Sequence, residues 1–191
     1  MLKAAAKYRV NAYVVLSLTT GIRTEEARAL RWEHVDLEAK TVAVWRSVRS
    51  HGDVKTEKSR RTLQLPQSVV TALRSHKVRQ AEERLAAGPL WQDHGLVFTA
   101  TVGTPLDARN VRRTFGQVIT TAGIEESWSP RELRHTFVSI MSESGVPVEE
   151  IARLAGHSNT RTTETIYRRE LRPVISTGAV VMDQIFGDAP G

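Results

Sequence analysis

Residues 129–141 read SPRELRHTFVSIM, and their order predicts how a helix begins and which face it buries. Ser129 followed three residues later by Glu132 is the pattern of a capping box, and Pro130 suits the first helical position because its φ is already helical. Leu133, Phe137, Ile140 and Met141 then recur at helical spacing until Gly145. Downstream, a second helix runs from Pro147 to Gly156, and a last pair covers roughly 160–170 and 173–186. Upstream, Asp107 caps a helix carrying Val111, Phe115, Val118 and Ile119 that ends at Gly123. Leu96, Val97 and Phe98 form a short apolar stretch suited to the core, and another helix runs from Pro66 through Val69, Val70 and Leu73 to about Gly88. Between this helix and the N-terminal region, residues 41–48 (TVAVWRSV) alternate as a strand. Residues 60–65 (RRTLQL) read as its returning partner, which leaves a turn or short third strand in 49–59. The first 20 residues read as a helix with Tyr13, Leu16 and Leu18 among its apolar positions, stopped by Gly21. Thr24 is placed to cap the next helix, whose first turn carries Glu25 and Glu26 and which buries Ala27, Leu30 and Trp32. The expected fold is mainly α with a small antiparallel β-sheet (α+β), in a single domain over 1–191.

Composition narrows the chemistry. The 191 residues hold 27 Lys+Arg and 21 Asp+Glu, a net charge of +6, with 40% hydrophobic and 25% charged residues. That is a globular balance, incompatible with a largely disordered or collagen-like chain. No apolar run approaches the ~18 residues of a membrane span, and the N-terminus MLKAAAKYRV is too polar for a secretory signal. The chain has no cysteine, which removes disulfides, thiolate zinc sites, iron–sulfur clusters and thiol catalysis, and suits a reducing cytoplasm. A pI near 10.1 points to a polyanionic partner such as nucleic acid, as well as to an ordinary basic protein. No Gly-rich phosphate loop or metal-ligand spacing appears, so the sequence calls for no cofactor or metal.

Several side chains are candidates for anion chemistry. Arg131, Arg134 and His135 fall at i, i+3 and i+4 at the start of the capped helix. There two guanidiniums beside a helix N-terminus form a candidate phosphate clamp. Arg23 lies in a Gly-Ile-Arg turn ahead of an acidic helix start, where it serves either as an anion ligand or as an ion-pair partner of Glu26. Lys55, Lys58, Arg60 and Arg61 share a polar turn and suit either a solvated loop or DNA contact. His157 stands at a helix end and Tyr167 ten residues later; taken singly, such residues are more often structural.

Taken in order, four segments resemble the tyrosine recombinases, the phage-integrase family. They are TTGIRTEEARALRWEHVDL (19–37), VKTEKSRRTLQLP (54–66), SPRELRHTFVS (129–139) and LAGHSNTRTTETIY (154–167). Within that family the chain is most similar to integrases of actinobacterial mobile elements. The resemblance implies that Arg23 and Arg134 are the two catalytic arginines and that Lys55 protonates the departing 5′-hydroxyl, with Lys58 its rival in the same turn. It implies further that His157 is the later active-site histidine and Tyr167 the nucleophile that forms a 3′-phosphotyrosyl bond. Glu26 and His135 would support the site, and Lys58, Arg60 and Arg61 would contact DNA. The family pattern places His, or less often Lys, three residues before the second arginine; here Arg131 stands there, and arginine does not readily accept a proton. Arg131 is therefore expected to clamp phosphate or DNA, leaving the tyrosine proton to His157, a phosphate oxygen or water. The implied partner is double-stranded attachment-site DNA, bound as a homotetramer, with the isolated domain monomeric, cytoplasmic and nucleoid-associated.

Family members usually carry a preceding core-binding domain. The chain accordingly reads as the C-terminal domain of a longer recombinase, with 172–191 (Val174, Ile175, Val181, Met182 and Ile185 on one stripe) packing in cis or onto a neighbour. The competing functions are a type IB topoisomerase-like breaking and rejoining enzyme, and a catalytically silent DNA-binding module.

Overall fold

The computed structural model describes residues 1–48 and 60–157. Lys55, Lys58, Tyr167, the helices expected after 157 and the 172–191 stripe lie outside the described residues. Helices α1 (Leu2–Ala5) and α2 (Asn11–Thr20) take the place of the single N-terminal helix expected. The break between them brings the Tyr8 hydroxyl within 2.6 Å of Thr121 Oγ1 and lets Arg9 pair with Glu83 at 2.5 Å. Tertiary contacts thus override a continuous helical pattern. Helix α3 (Thr24–Arg28) follows, then a 3-10 turn (Trp32–His34), β1 (Val35–Asp36), β2 (Thr41–Val44) and β3 (Arg61–Gln64). Next come α4 (Gln67–Ala87), a 3-10 turn (Gly88–Leu90), α5 (Ala108–Thr121), α6 (Glu132–Glu143) and α7 (Val148–Ala155). No helix among the described residues is long and apolar enough to cross a membrane.

Helix α2 is the axis of the core. Ala12, Tyr13, Val14, Val15, Leu16, Ser17 and Thr20 are all buried, so the helix is covered on every side, with α4 and α6 packed against it. The strands form one antiparallel sheet in the order β1-β2-β3. Val42 pairs with Leu63 and Val44 with Arg61, and β1, not anticipated as a strand, adds Val35 opposite Val42. Alternation sets the inner face: Val42, Val44, Leu63 and Leu65 are buried. Phe115, Val118 and Ile119 of α5 join this core, as do Val97 and Phe98, where the His76 ring donates from Nε2 to the Val97 carbonyl at 2.7 Å.

The helix caps differ in detail from expectation. Asp107 caps α5 as expected, accepting from the Arg109 N–H at 2.7 Å. Thr24 is instead the first residue of α3, and the Glu26 carboxylate does the capping by accepting the Arg23 N–H at 2.9 Å. At α6 the box closes between side chains: the Ser129 hydroxyl donates to Glu132 Oε1 at 3.0 Å and accepts the Arg131 N–H at 3.3 Å.

Candidate active site

Two tight helix ends face each other across the interior. Gly21 closes α2 and Gly156 closes α7, both left-handed, with φ of 62° and 68°. Glycine is required at each for a second reason. A Cβ on Gly21 would run into the Phe137 ring, and one on Gly156 would lie 2.5 Å from Arg61 Nη1. The helix ends are therefore held close to α6 and β3, and their free carbonyls open into the space between.

Three guanidiniums take up the end of α7. Three successive carbonyls each accept from a different arginine: Leu154 from Arg61 Nε at 2.8 Å, Ala155 from Arg134 Nη1 at 2.6 Å, and Gly156 from Arg23 Nη2. Such carbonyls lack helical partners and carry the negative end of the helix dipole, so cations belong there. Arg134 Nη1 also donates to the Gly21 carbonyl, tying the α2 end to the α7 end. Beneath them sits one carboxylate. Glu26, 3% exposed, pairs with Arg23 Nη1 at 2.7 Å and with Arg61 Nη2 at 2.9 Å. Burial pushes its carboxyl upward, but the hydrogen bonds and charges of Arg61 and then Arg23 outweigh that and hold it below the usual range.

Among the described residues the cluster is electrically unbalanced: three guanidiniums surround one carboxylate. Burial, and then the charge of Arg23, pushes Arg134 down to about 9, which still leaves it protonated at neutral pH. Its Nη2 is buried and has no acceptor among the described residues. His157, whose N–H bonds the Ala152 carbonyl at 2.8 Å, is pushed down to about 3 by burial and then by Arg134, Arg23 and Arg61. It is a neutral imidazole at physiological pH. Among the described residues, a neutral imidazole, two excess positive charges and an unfilled buried N–H suit an anion, and phosphate matches the forked geometry of guanidinium.

The structure thus gathers Arg23 and Glu26, Arg134 and His157 from three separate parts of the chain. It alters two sequence readings. Arg131 and Arg134 do not form a clamp on the N-terminus of α6. Arg134 shares the row of Val138 and Met141 that packs on α7, whereas Arg131 is exposed, with no hydrogen bond or ion pair from its guanidinium among the described residues. Arg61 is not a DNA-facing loop residue either, because its side chain is 8% exposed and bound to Glu26. The signal for this was present in the strand period, since Arg61 lies in register with the inward Leu63 and Leu65. Arg60 stays exposed beside it. His135 is also outward, 3.3 Å from Glu132 through Nδ1.

Comparison with known proteins identifies the family and the fold. Residues 1–172 match the phage integrase family. An integrase of Streptomyces ambofaciens is 55% identical over 201 residues, covering 100% of this chain and 52% of that protein. A XerC-like tyrosine recombinase of Caldanaerobacter subterraneus subsp. tengcongensis is 32% identical over 198 residues, 94% of this chain and 50% of its own length. The chain spans about half the length of these curated relatives. Among solved structures, XerA recombinase superposes with a TM-score of 0.71 at 24% identity, covering 98% of this chain and 61% of that one. The Tn1549 transposon integrase in complex with a circular intermediate DNA gives 0.68 at 21% identity, covering 92% and 58%. At those identities the likeness is one of fold.

Proposed function

The chain belongs to the phage integrase family, and on that premise we propose that it is the catalytic part of a site-specific DNA recombinase that integrates or excises a mobile element. The observation that carries the proposal is the arginine pocket. Among the described residues it holds excess positive charge and a buried Arg134 N–H without an acceptor, as a phosphodiester in transit requires. In this reading Arg23 and Arg134 hold the non-bridging oxygens, and His157 donates a hydrogen bond as a neutral imidazole. Preorganised donors of this kind each contribute on the order of 10²–10³ in rate.

The Tyr167 oxygen attacks phosphorus, the bond to the 5′-oxygen breaks, and Lys55 supplies the proton that makes the leaving group a hydroxyl. The tyrosine proton passes to a phosphate oxygen, to water or to His157, whose basicity rises once a phosphate offsets the guanidinium charge around it. A 5′-hydroxyl from a second strand then reverses the step. The phosphotyrosyl bond keeps the energy of the diester it replaces, so rejoining requires neither ATP nor a metal ion. Arg131, outside the pocket, contacts the DNA backbone. The partners are duplex attachment sites and three further copies of the protein on DNA.

The test is covalent capture. The full-length protein is incubated with DNA carrying its element's junctions, and the Tyr167 peptide is sought by mass spectrometry with a nucleotide attached. An adduct that Tyr167→Phe abolishes supports the reading. Tight junction binding without any adduct would assign the chain to silent DNA binding, and rejoining confined to one duplex would assign it to topoisomerase-like chemistry.

A further inference from the structure

We infer that Arg61 is a positioning residue: through Glu26 and the Leu154 carbonyl it sets Arg23 and the Gly156–His157 turn, without touching the phosphate itself. The inference rests on the pocket's being the phosphate site proposed above. Each nitrogen of Arg61 donates to the protein: Nε to Leu154 at 2.8 Å, Nη1 to Glu26 Oε1 at 3.3 Å and Nη2 to Glu26 Oε2 at 2.9 Å. Arg23, by contrast, is a third exposed and hangs from the turn that joins two helices. A long side chain in that setting loses rotamer freedom when it binds, at a cost that weakens binding unless its position is fixed beforehand.

Glu26 supplies the fixing. Its Oε1 accepts from Arg23 Nη1 at 2.7 Å, and its Oε2 accepts the Arg23 backbone N–H at 2.9 Å. That carboxylate can hold Arg23 in one orientation only if it is itself immobile. Arg61, fork to fork against it from the inner face of β3, makes it so. The same guanidinium reaches the end of α7, so one buried side chain keeps Arg23 and His157 in a common frame. A lysine at this position would retain the charge, but a single ammonium cannot span both the Glu26 carboxylate and the Leu154 carbonyl.

Positioning and simple electrostatics predict opposite results in one variant. Glu26→Gln raises the local charge by one; a field effect alone would tighten anion binding, whereas loss of positioning weakens it. The experiment titrates the whole chain with inorganic phosphate and follows the His157 ring and the Arg23 Nε–Hε signal by NMR. Nitrogen relaxation of Arg23 Nε is measured without phosphate. Phosphate affinity is expected to fall about fivefold or more in both Arg61→Lys and Glu26→Gln, and Arg23 Nε to lose order in both. Parent-like binding and order in Arg61→Lys, or tighter binding in Glu26→Gln, overturns the inference. If phosphate leaves the His157 ring of the parent unmoved, the phosphate-site reading itself fails, and the relaxation data still judge whether Arg61 orders Arg23. Either variant decides alone should the other not fold.

Discussion

Replacing Gly156 with alanine tests whether the arginines are held as tightly as the geometry implies. Two costs arise. The residue sits at φ 68°, where an L side chain is disfavoured by roughly 1–2 kcal/mol. The new Cβ would also lie 2.5 Å from Arg61 Nη1 and 2.9 Å from its Cζ. The tip of a free arginine would swing aside at little cost. This one is pinned to Glu26 at 2.9 Å and to the Leu154 carbonyl at 2.8 Å, so moving it sacrifices at least one hydrogen bond to a charged group, about 1.5–3 kcal/mol. The sum is about 2.5–5 kcal/mol, a large part of a typical domain's stability. Gly145 is the matched control: φ is 77° but a Cβ there meets nothing within 4 Å, so Gly145→Ala should show the backbone cost alone. Urea unfolding of both variants gives the difference directly, and an unchanged m-value confirms that the unfolded states match. The excess for Gly156→Ala should also shrink when Arg61 is replaced by methionine, because the colliding group is then gone. If the two glycine variants are equally destabilised, Arg61 is not pinned, and the argument for a rigid pocket fails.

Three further outcomes follow, two from the same cluster and one from the exposed Arg131. Glu26 titrates below the ordinary carboxylate range in the fold, so its contribution is complete at neutral pH. It is lost as pH falls below about 4.5 toward the folded value; Glu26→Gln should flatten that acid limb of the stability curve, measured by urea midpoints. His157 is neutral in the fold, with its pKa held at about 3, while the unfolded chain takes up a proton near 6.5. The stability linked to it is therefore present above about 6.5 and declines between there and 3. His157→Gln should remove that decline, and phosphate should move the ring's titration upward in NMR; a ring titrating near 6.5 without phosphate would contradict the pocket's electrostatics. Arg131→Ala should leave the urea midpoint within about 0.5 kcal/mol of the parent, because the side chain is exposed. Its DNA affinity should weaken, with a salt slope smaller by about one ion; parent-like affinity and slope would remove Arg131 from the DNA contacts.

The elements that were legible in the sequence are those where local chemistry and burial agree. Helix α5 has its Asp107 cap and a clean apolar face, α4 (Gln67–Ala87) lies between Pro66 and Gly88, and β2 and β3 alternate, so local and tertiary preferences point the same way. The break in the N-terminal helix is not legible in the local pattern, because the contacts at it lie far off in sequence, on Thr121 and Glu83. The pocket divides similarly. The resemblance to the tyrosine recombinases singles out Arg23, Arg134 and His157, yet what brings them together is the pair of helix ends whose carbonyls the arginines share, and no linear motif displays that. Arg61 is the instructive case. Its basic neighbours suggested a solvated, DNA-facing loop, an argument from composition. The period of the strand argued the reverse, since 61, 63 and 65 share a face and Leu63 and Leu65 could only point inward. An arginine placed by that period in an apolar row needs a buried acid, and Glu26, three residues beyond Arg23, is the acid the structure supplies. Where composition and period disagree about a charged residue in a strand, the period carries the stronger physical constraint, because reversing it would expose every apolar side chain on that face.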